Sequence, residues 1–200
     1  MQSGFLPAHQ SSLCRPPSHL QAPEYAIYYT GDYKLYAKFA HINRLSHKLP
    51  IYVGKAVPKG WRQARAADIK RDRSVELHSR LKEHYRSITA VDGLAAEDFS
   101  YRFMILEDHS ADMIGTVEAA LIKLHKPLWN CVVDGFGNHT PGAGRFKQAR
   151  SDWDVIHPGR EWAQRCTGTP NEKGAIESSI ARHLKGCSIF HSSPTMRMIA

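Results

Sequence analysis

The sequence predicts an α+β fold in which a short, mainly antiparallel β-sheet is flanked by helices. Residues 24–31 and 49–55 are rich in Tyr, Ile and Val and are bounded by Gly or Pro, a composition typical of paired strands. Residues 99–106 form the most strand-like run of the chain, and we predict that they are a central strand. Apolar residues with helical spacing indicate helices between and after these runs.

Two helices are predicted between the strands and the middle of the chain. Residues 74–90 are expected to be helical, and three apolar residues then share one face: Leu77, Leu81 and Ile88. Residues 110–126 form the second helix, which Pro127 ends. Its predicted buried stripe consists of Met113, Ile114, Val117, Leu121 and Leu124.

The chain divides into three predicted parts. Residues 1–23 are rich in Ser, Pro, His and Gln without periodicity, so we expect a flexible N-terminal arm. Residues 24–165 are predicted to be one domain with insertions. Residues 166–200 are expected to hold a C-terminal helix and a tail, with a capping box at residues 169–172 opening the helix and Gly186 ending it.

Composition limits the class of protein. Among 200 residues, 27 Lys and Arg against 19 Asp and Glu give a formal charge of +8, which is typical of proteins that bind polyanions. The four cysteines are far apart and lack zinc spacing, which indicates reduced thiols. Neither a bilayer-spanning segment nor a signal peptide is predicted. We therefore expect a cytoplasmic protein without a membrane partner.

Basic residues cluster after the second tyrosine-rich run. Between residues 57 and 73 they surround Trp61, a pattern suited to phosphate contact and stacking. Residues 33–48 are too many for a simple hairpin loop, and the sequence leaves open whether this insertion serves DNA contact, dimer contact or neither. The candidate DNA-contacting residues are Lys38, Arg44, Lys55, Lys59, Arg62, Arg65 and Arg145.

Six further residues are candidates for a catalytic site. They are Tyr28, Tyr52, Arg80, His84, Glu118 and Asn130. Arg80 and His84 lie four apart and so share one helix face. Glu118 borders an apolar stripe, where a carboxylate needs a partner and a metal ion is one such partner. Packed tyrosines, an ordinary helix histidine and a structural Arg80–Glu118 ion pair are the alternative interpretations.

In this order the six residues resemble the GIY-YIG nuclease superfamily. The first motif reads Ala26-Ile27-Tyr28 and the second reads Tyr52-Val53-Gly54. Ala26 replaces the first glycine of the motif, and His84 stands where many members carry tyrosine. Tyr25 and Tyr29 are alternative candidates for the tyrosine of the first motif, which is assigned here to Tyr28.

Longer blocks resemble the type II restriction endonucleases of this superfamily that recognise CCGCGG, the SacII specificity. The blocks are residues 51–60, residues 129–130, residues 135–139 with 141–142, and residues 153–154 with 157–160. The resemblance covers residues 24–162. It implies a homodimer that cleaves double-stranded DNA within a restriction-modification system, alongside a companion methyltransferase that acts on the same DNA site.

The resemblance also implies a role for each candidate. Glu118 would hold Mg²⁺, and Asn130 would steady the carboxylate or the hydrated ion. Arg80 would contact the phosphate through its planar guanidinium. Tyr28 or His84 would accept a proton from water, and a tyrosine can do so only if nearby cations lower its pKa. The sequence does not choose between these two bases.

Two other functions remain open at this point. A repair or homing nuclease would use the same two tyrosine strands, although neither a zinc finger nor a second domain is evident. A DNA-binding module that has lost catalysis would not need Glu118, so metal-independent binding without cleavage would favour it.

Overall fold

The computed structural model describes residues 2–5, 23–57, 74–105, 113–142 and 144–186. The strands within these ranges are β1 (Gln2–Phe5), β2 (Pro23–Tyr29), β3 (Tyr52–Lys55) and β4 (Phe99–Ile105). The helices are α1 (Ala37–Ser46), α2 (Ser74–Thr89), α3 (Ile114–His125), α4 (Leu128–Cys131), α5 (Asp152–Ile156), α6 (Glu161–Gln164) and α7 (Lys173–Gly186).

The strands form one sheet in the order β1-β4-β2-β3, and each neighbouring pair is antiparallel. The predicted α+β class, with a small antiparallel sheet and flanking helices, is confirmed. Strand β4 is an inner strand, as expected. Strands β2 and β3 pair directly, with Tyr25 opposite Gly54 and Ile27 opposite Tyr52. The two tyrosine-rich runs are therefore hydrogen-bonded neighbours.

Strand alternation gives β2 two different faces, because successive side chains point to opposite sides of a sheet. Tyr25 and Tyr29 are buried in the main core on one side. Tyr28 is buried on the other side, where Leu121 and Ile122 of α3 pack nearby. The tyrosines of the first run therefore do not share one environment.

The insertion of residues 33–48 contains α1. Asn43 of α1 is fully buried, and its Nδ2 donates to the carbonyl oxygens of Tyr29 at 3.1 Å and Leu49 at 2.9 Å. Its Oδ1 accepts a hydrogen bond from the backbone N–H of Leu49 at 3.0 Å. One side chain thus joins the end of β2 to the segment before β3, so the insertion holds the two tyrosine strands in place.

The predicted stripe of α3 is wrong at both ends. Ile114 is buried, but Met113 is 54% exposed and Leu124 is 71% exposed. The helix packs against β2 and β3 through Leu121, which the stripe included, and through Ile122, which it did not.

Helix α7 begins four residues after the predicted N-cap, Thr169. Asn171, inside the predicted capping box, donates its Nδ2 to Oδ1 of Asp152 at 2.8 Å. The apolar register is confirmed, since Ile176 and Ile180 are buried, and Gly186, the predicted end, is the last residue of the helix that the structure describes.

The expected flexible arm over residues 1–23 is wrong at its two ends. Gln2–Phe5 form β1, and Pro23 already belongs to β2. The edge of β4 offers unpaired backbone groups, which β1 satisfies by antiparallel pairing. Residues 6–22 lie outside the described part of the chain.

Cys166 is a buried free thiol, as expected. Within the described ranges, no helix combines the length and apolar character required to cross a bilayer.

A buried ion pair organises the loop between α4 and α5. Arg160 donates Nε and Nη2 to the two carboxylate oxygens of Asp154 at 2.7 and 2.8 Å, and both side chains are buried. The same guanidinium donates to the carbonyl oxygens of Gly135 at 2.9 Å and Phe136 at 3.2 Å. These bonds hold residues 135–139, which approach α2.

Replacing Arg160 by methionine is expected to lower the free energy of unfolding by about 3–5 kcal/mol, because Asp154 would remain as an unpaired buried charge. Urea unfolding followed by circular dichroism measures the loss. The control is Arg182→Met on the exposed side of α7, which is expected to change the free energy of unfolding by less than about 0.5 kcal/mol. Equal losses would show that the ion pair does not stabilise this loop.

Candidate active site

Side chains from β2, β3 and α2 meet in a group that we call the tyrosine–histidine cluster: Tyr25, Tyr52, Arg80 and His84. The hydroxyl oxygen of Tyr25 lies 2.7 Å from Nε2 of His84. The ring of Tyr52 is centred 5.2 Å from the His84 ring and 6.3 Å from the Tyr25 ring. Arg80 lies one turn before His84, and its charge acts on both phenols. The structure thus brings three predicted residues together and adds Tyr25.

Tyr28, the predicted catalytic tyrosine of the first motif, does not belong to this cluster, to which β2 contributes Tyr25 instead. Tyr28 lies on the opposite face of β2, with its ring edge-on to His47 at a centroid distance of 5.8 Å. Strand alternation turns it away from α2. Tyr29 shares the face of Tyr25, but its hydroxyl accepts a hydrogen bond from the backbone N–H of Tyr33 at 2.7 Å.

Two glycines leave room for the phenol hydroxyls. A Cβ atom on Gly54 would lie 2.7 Å from the hydroxyl oxygen of Tyr25, and one on Gly137 would lie 2.6 Å from that of Tyr52. Both separations are too short for a carbon–oxygen contact. A side chain in place of Gly54, the glycine of the second motif, would therefore collide with the Tyr25 hydroxyl. The role of Gly137 was not evident from the sequence, because its neighbour Tyr52 is distant along the chain.

Arg80 is held by two neighbours. Its Nη1 donates to Oε2 of Glu83 at 2.8 Å and to Nε2 of His139 at 2.6 Å. The alternative of a structural Arg80–Glu118 ion pair is wrong, because Glu118 pairs with Lys55 instead. In the sequence, His139 stood out only as part of a resembling block. Its contact with Arg80 could not be predicted, because no spacing rule connects a residue of that loop with one on α2.

Burial sets the protonation of the cluster. It raises the pKa of Tyr25 and Tyr52 above the ordinary value, and the positive charge of Arg80 offsets only part of this rise. Burial also lowers the pKa of His84 well below 6.5, and Arg80 lowers it further. The protein's own cations therefore do not bring the pKa of either tyrosine below its ordinary value. At neutral pH the phenols are protonated and His84 is neutral.

Glu118, on α3, is close enough to the cluster for its charge to act on the two phenols. Its Oε2 is 2.8 Å from Nζ of Lys55, and its negative charge contributes to the raised pKa of Tyr25 and Tyr52. A carboxylate is also present one residue before Tyr25, at Glu24, which is 1% exposed. Burial and the negative charge of Glu118 raise the pKa of Glu24 to about 8.

The donor set suits one class of cation. The described residues contain no group of three or more His, Cys, Asp or Glu side chains that could hold a metal ion. Mg²⁺ commonly binds through one or two carboxylates and completes its shell with water and substrate phosphate. Glu118 is partly accessible, and neither carboxylate oxygen of Glu24 has a hydrogen-bond partner. These two residues fit such a site.

Asn130 acts on the backbone of β3. Its Oδ1 accepts a hydrogen bond from Val53 N–H at 2.8 Å, and its Nδ2 donates to the Val53 carbonyl at 2.9 Å. That Asn130 steadies the Glu118 carboxylate or its hydrated metal stays a prediction. The bonds to Val53 show that Asn130 holds the strand segment between Tyr52 and Gly54.

The predicted DNA-contacting residues fall into three groups. Those with partners inside the protein are Lys38, Arg44 and Lys55. Lys38 donates to the carbonyl oxygen of Leu184, and Nε of Arg44 donates to that of Thr30 at 2.7 Å. Arg145 is exposed. Those outside the described ranges are Lys59, Arg62 and Arg65. DNA contact by all seven remains a prediction.

The antiparallel sheet, the paired tyrosine strands and the cluster beside them define a GIY-YIG-type nuclease. The sequence model of the Eco29kI GIY-YIG domain matches residues 19–184. The chain therefore belongs to the Eco29kI GIY-YIG family, which consists of restriction-type nucleases whose substrate is DNA. No individual curated protein matches the chain. The predictions of a GIY-YIG nuclease and of DNA as its substrate are confirmed.

Replacing Gly54 by alanine is expected to slow DNA cleavage by about 10²-fold or more with the fold retained, because a displacement of about 1 Å in an active site can have that effect. Single-turnover cleavage and circular dichroism measure the two properties. The matched control is Gly174→Ala, where an added Cβ meets nothing within 4 Å. Equal cleavage rates in the two variants would contradict the steric role of Gly54.

Proposed function

We propose that the protein is a Mg²⁺-dependent type II restriction endodeoxyribonuclease, and that the tyrosine–histidine cluster and Glu118 hydrolyse its phosphodiester bonds. The observation that carries the proposal is the contact of 2.7 Å between the Tyr25 hydroxyl and His84. It is supported by the positive charge of Arg80 and the negative charge of Glu118 beside the same phenol.

Tyr25 and His84 together provide the base. His84 is neutral because burial keeps its pKa low, so its Nε2 can accept the hydroxyl proton of Tyr25. The Tyr25 oxygen is then free to accept a proton from the attacking water as its own proton moves to His84. The resulting hydroxide attacks phosphorus. The negative phosphate beside Arg80 offsets the positive charge that otherwise disfavours a protonated His84.

Arg80 and Tyr52 receive the phosphate. A guanidinium is charged at every working pH and presents several donors in one plane, which suits two phosphate oxygens. Glu83 and His139 orient the Arg80 side chain before substrate arrives. The Tyr52 hydroxyl lies in the space that Gly137 leaves, so it can donate a further hydrogen bond to the phosphate.

Glu118 is the residue that would hold Mg²⁺. When bound, this cation supplies charge neutralisation at a phosphate oxygen and at the leaving 3′ oxygen. The chain itself contributes a carboxylate that α3 keeps beside the two phenols. Asn130 supports the arrangement from the other side by fixing β3 through Val53.

We further propose that the enzyme acts as a homodimer on the GC-rich palindrome CCGCGG, in a restriction-modification system whose methyltransferase acts on the same sequence. The resemblance of blocks within residues 51–60, 135–142 and 153–160 to enzymes of this specificity supports the proposal. A formal charge of +8 suits a DNA partner. A twofold-symmetric enzyme matches a palindrome by geometry.

Two supercoiled plasmids test this specificity. One carries a single CCGCGG sequence, and its twin differs by one base pair within that sequence. With Mg²⁺ present, the protein is expected to linearise the first plasmid only, with both ends mapping inside the site. Linearisation of both plasmids at one other shared sequence would contradict CCGCGG while leaving the nuclease assignment intact.

A further inference from the structure

Glu24 is a buried carboxylate that no local hydrogen bond stabilises. It lies in β2 beside Tyr25, pairs with Lys55 of β3 and Met104 of β4, and is 1% exposed. Neither of its oxygens has a hydrogen-bond partner. A buried polar group without a partner costs free energy, and a carboxylate costs more than a neutral group. A glutamine or an apolar residue would be more stable at this position.

Lys55, the cationic residue opposite Glu24, forms its ion pair with Glu118. Glu24 and Lys55 lie directly opposite each other on neighbouring strands, so their side chains share one face of the sheet. The Lys55 ammonium nevertheless contacts Oε2 of Glu118 at 2.8 Å. Helix α3 comes close to the same ammonium, since a Cβ on Gly115 would lie 3.6 Å from Nζ. Two carboxylates thus share one lysine, and Glu24 has no hydrogen bond to it.

A divalent cation would give both carboxyl groups a partner. One ammonium pairs with one carboxylate, whereas a divalent cation can bind two. Carboxylate oxygens are the ligands that such hard cations prefer, and each additional anionic ligand strengthens binding. The mutual influence of the two carboxylates is visible in the raised pKa of Glu24, to which Glu118 contributes.

We propose that Glu24 supplies a second carboxylate to the cation site of Glu118, either as a ligand or through a bound water, and that the cation displaces the Lys55 ammonium. This inference rests on the cation role of Glu118 in the proposed function. It extends the site from one acidic residue on α3 to a pair that bridges the helix and the sheet.

Binding of Mn²⁺ alone to the full chain, followed by the electron paramagnetic resonance signal of free Mn²⁺, tests the proposal without DNA cleavage. Glu24→Gln is expected to weaken Mn²⁺ binding by about 10–100-fold, in the range seen when supporting groups around a metal are removed. Asp98→Asn is the matched control, because it removes one half-buried carboxylate far along the chain, and it is expected to bind like the parent.

A second variant and a melting curve separate binding from folding. Lys55→Met is expected to tighten Mn²⁺ binding, because the cation then displaces no ammonium. Glu24→Gln is expected to melt at or above the temperature of the parent without Mn²⁺, and to gain less stability from added Mn²⁺. A variant that melts well below the parent would show that Glu24 has a structural partner and would overturn the proposal.

The remaining outcomes distinguish this proposal from the proposed function. Mn²⁺ binding that is lost in Glu118→Gln but unchanged in Glu24→Gln overturns the role of Glu24 alone. Binding that is absent in the parent, or unaffected by both substitutions, overturns the cation site itself. Site-specific cleavage of plasmid DNA by the parent would still support the nuclease function in that case.

Discussion

Glu118→Gln is expected to reduce DNA cleavage by about 10³-fold or more, because the substitution removes the carboxylate that would hold the cation, whose charge would stabilise the leaving oxygen. Glutamine keeps the size of the side chain, so packing on β3 is preserved. The lost ion pair with Lys55 is partly exposed and is worth at most about 1 kcal/mol of stability. Single-turnover cleavage of a plasmid with saturating Mg²⁺ measures the effect.

The control for this prediction is Glu161→Gln, which removes an exposed carboxylate from α6. It is expected to cleave at the rate of the parent. DNA binding by both variants, measured with Ca²⁺ in place of Mg²⁺, is expected to remain. If the cleavage rate of Glu118→Gln is within about 10-fold of the parent rate, a cation at Glu118 does not lower the activation free energy by the several kcal/mol expected.

Arg80→Lys is expected to slow cleavage by about 10²–10³-fold, the range seen when one donor to a developing negative charge is removed. Lysine retains the positive charge but not the planar set of donors. It also cannot reproduce the geometry by which Nη1 contacts both Glu83 and His139. The measurement is the single-turnover rate, together with the affinity for uncleaved DNA.

Arg86→Lys is the matched control for this second prediction. Arg86 is exposed and lies on the same helix, more than one turn beyond Arg80. Its conservative replacement is expected to leave the cleavage rate unchanged. A similar fall in both variants would mean that α2 contributes general positive charge rather than a specific phosphate contact at Arg80.

The elements of this fold were largely predictable because their signals are local. Tyrosine-rich runs with glycine ends predicted β2 and β3, and the apolar spacing predicted α2 and α7. Errors arose where tertiary contacts compete with local preference. Asn171 donates a hydrogen bond to Asp152 and does not belong to the helix, and a sequence pattern cannot show that Asp152 is nearby.

The site was predictable in its members but not in its details. Residues Tyr52, Arg80 and His84 were found from their order along the chain, and they do meet. Tyr28 does not meet them, because the first motif alone does not say which face of β2 is directed toward α2. Glu24 could not be found, since its unusual property is the lack of a partner, which appears only when the surroundings are known.

The claim that Tyr25 rather than Tyr28 belongs to the catalytic centre is tested most directly by comparing the single-turnover cleavage rates of Tyr25→Phe and Tyr28→Phe. Each substitution removes one hydroxyl from a buried ring and leaves the packing in place. Tyr25→Phe is expected to cleave at least about 10²-fold more slowly than the parent, in the range of general-base effects, while still binding DNA. Tyr28→Phe is expected to cleave like the parent. Slow cleavage by Tyr28→Phe with normal cleavage by Tyr25→Phe would contradict the proposed site.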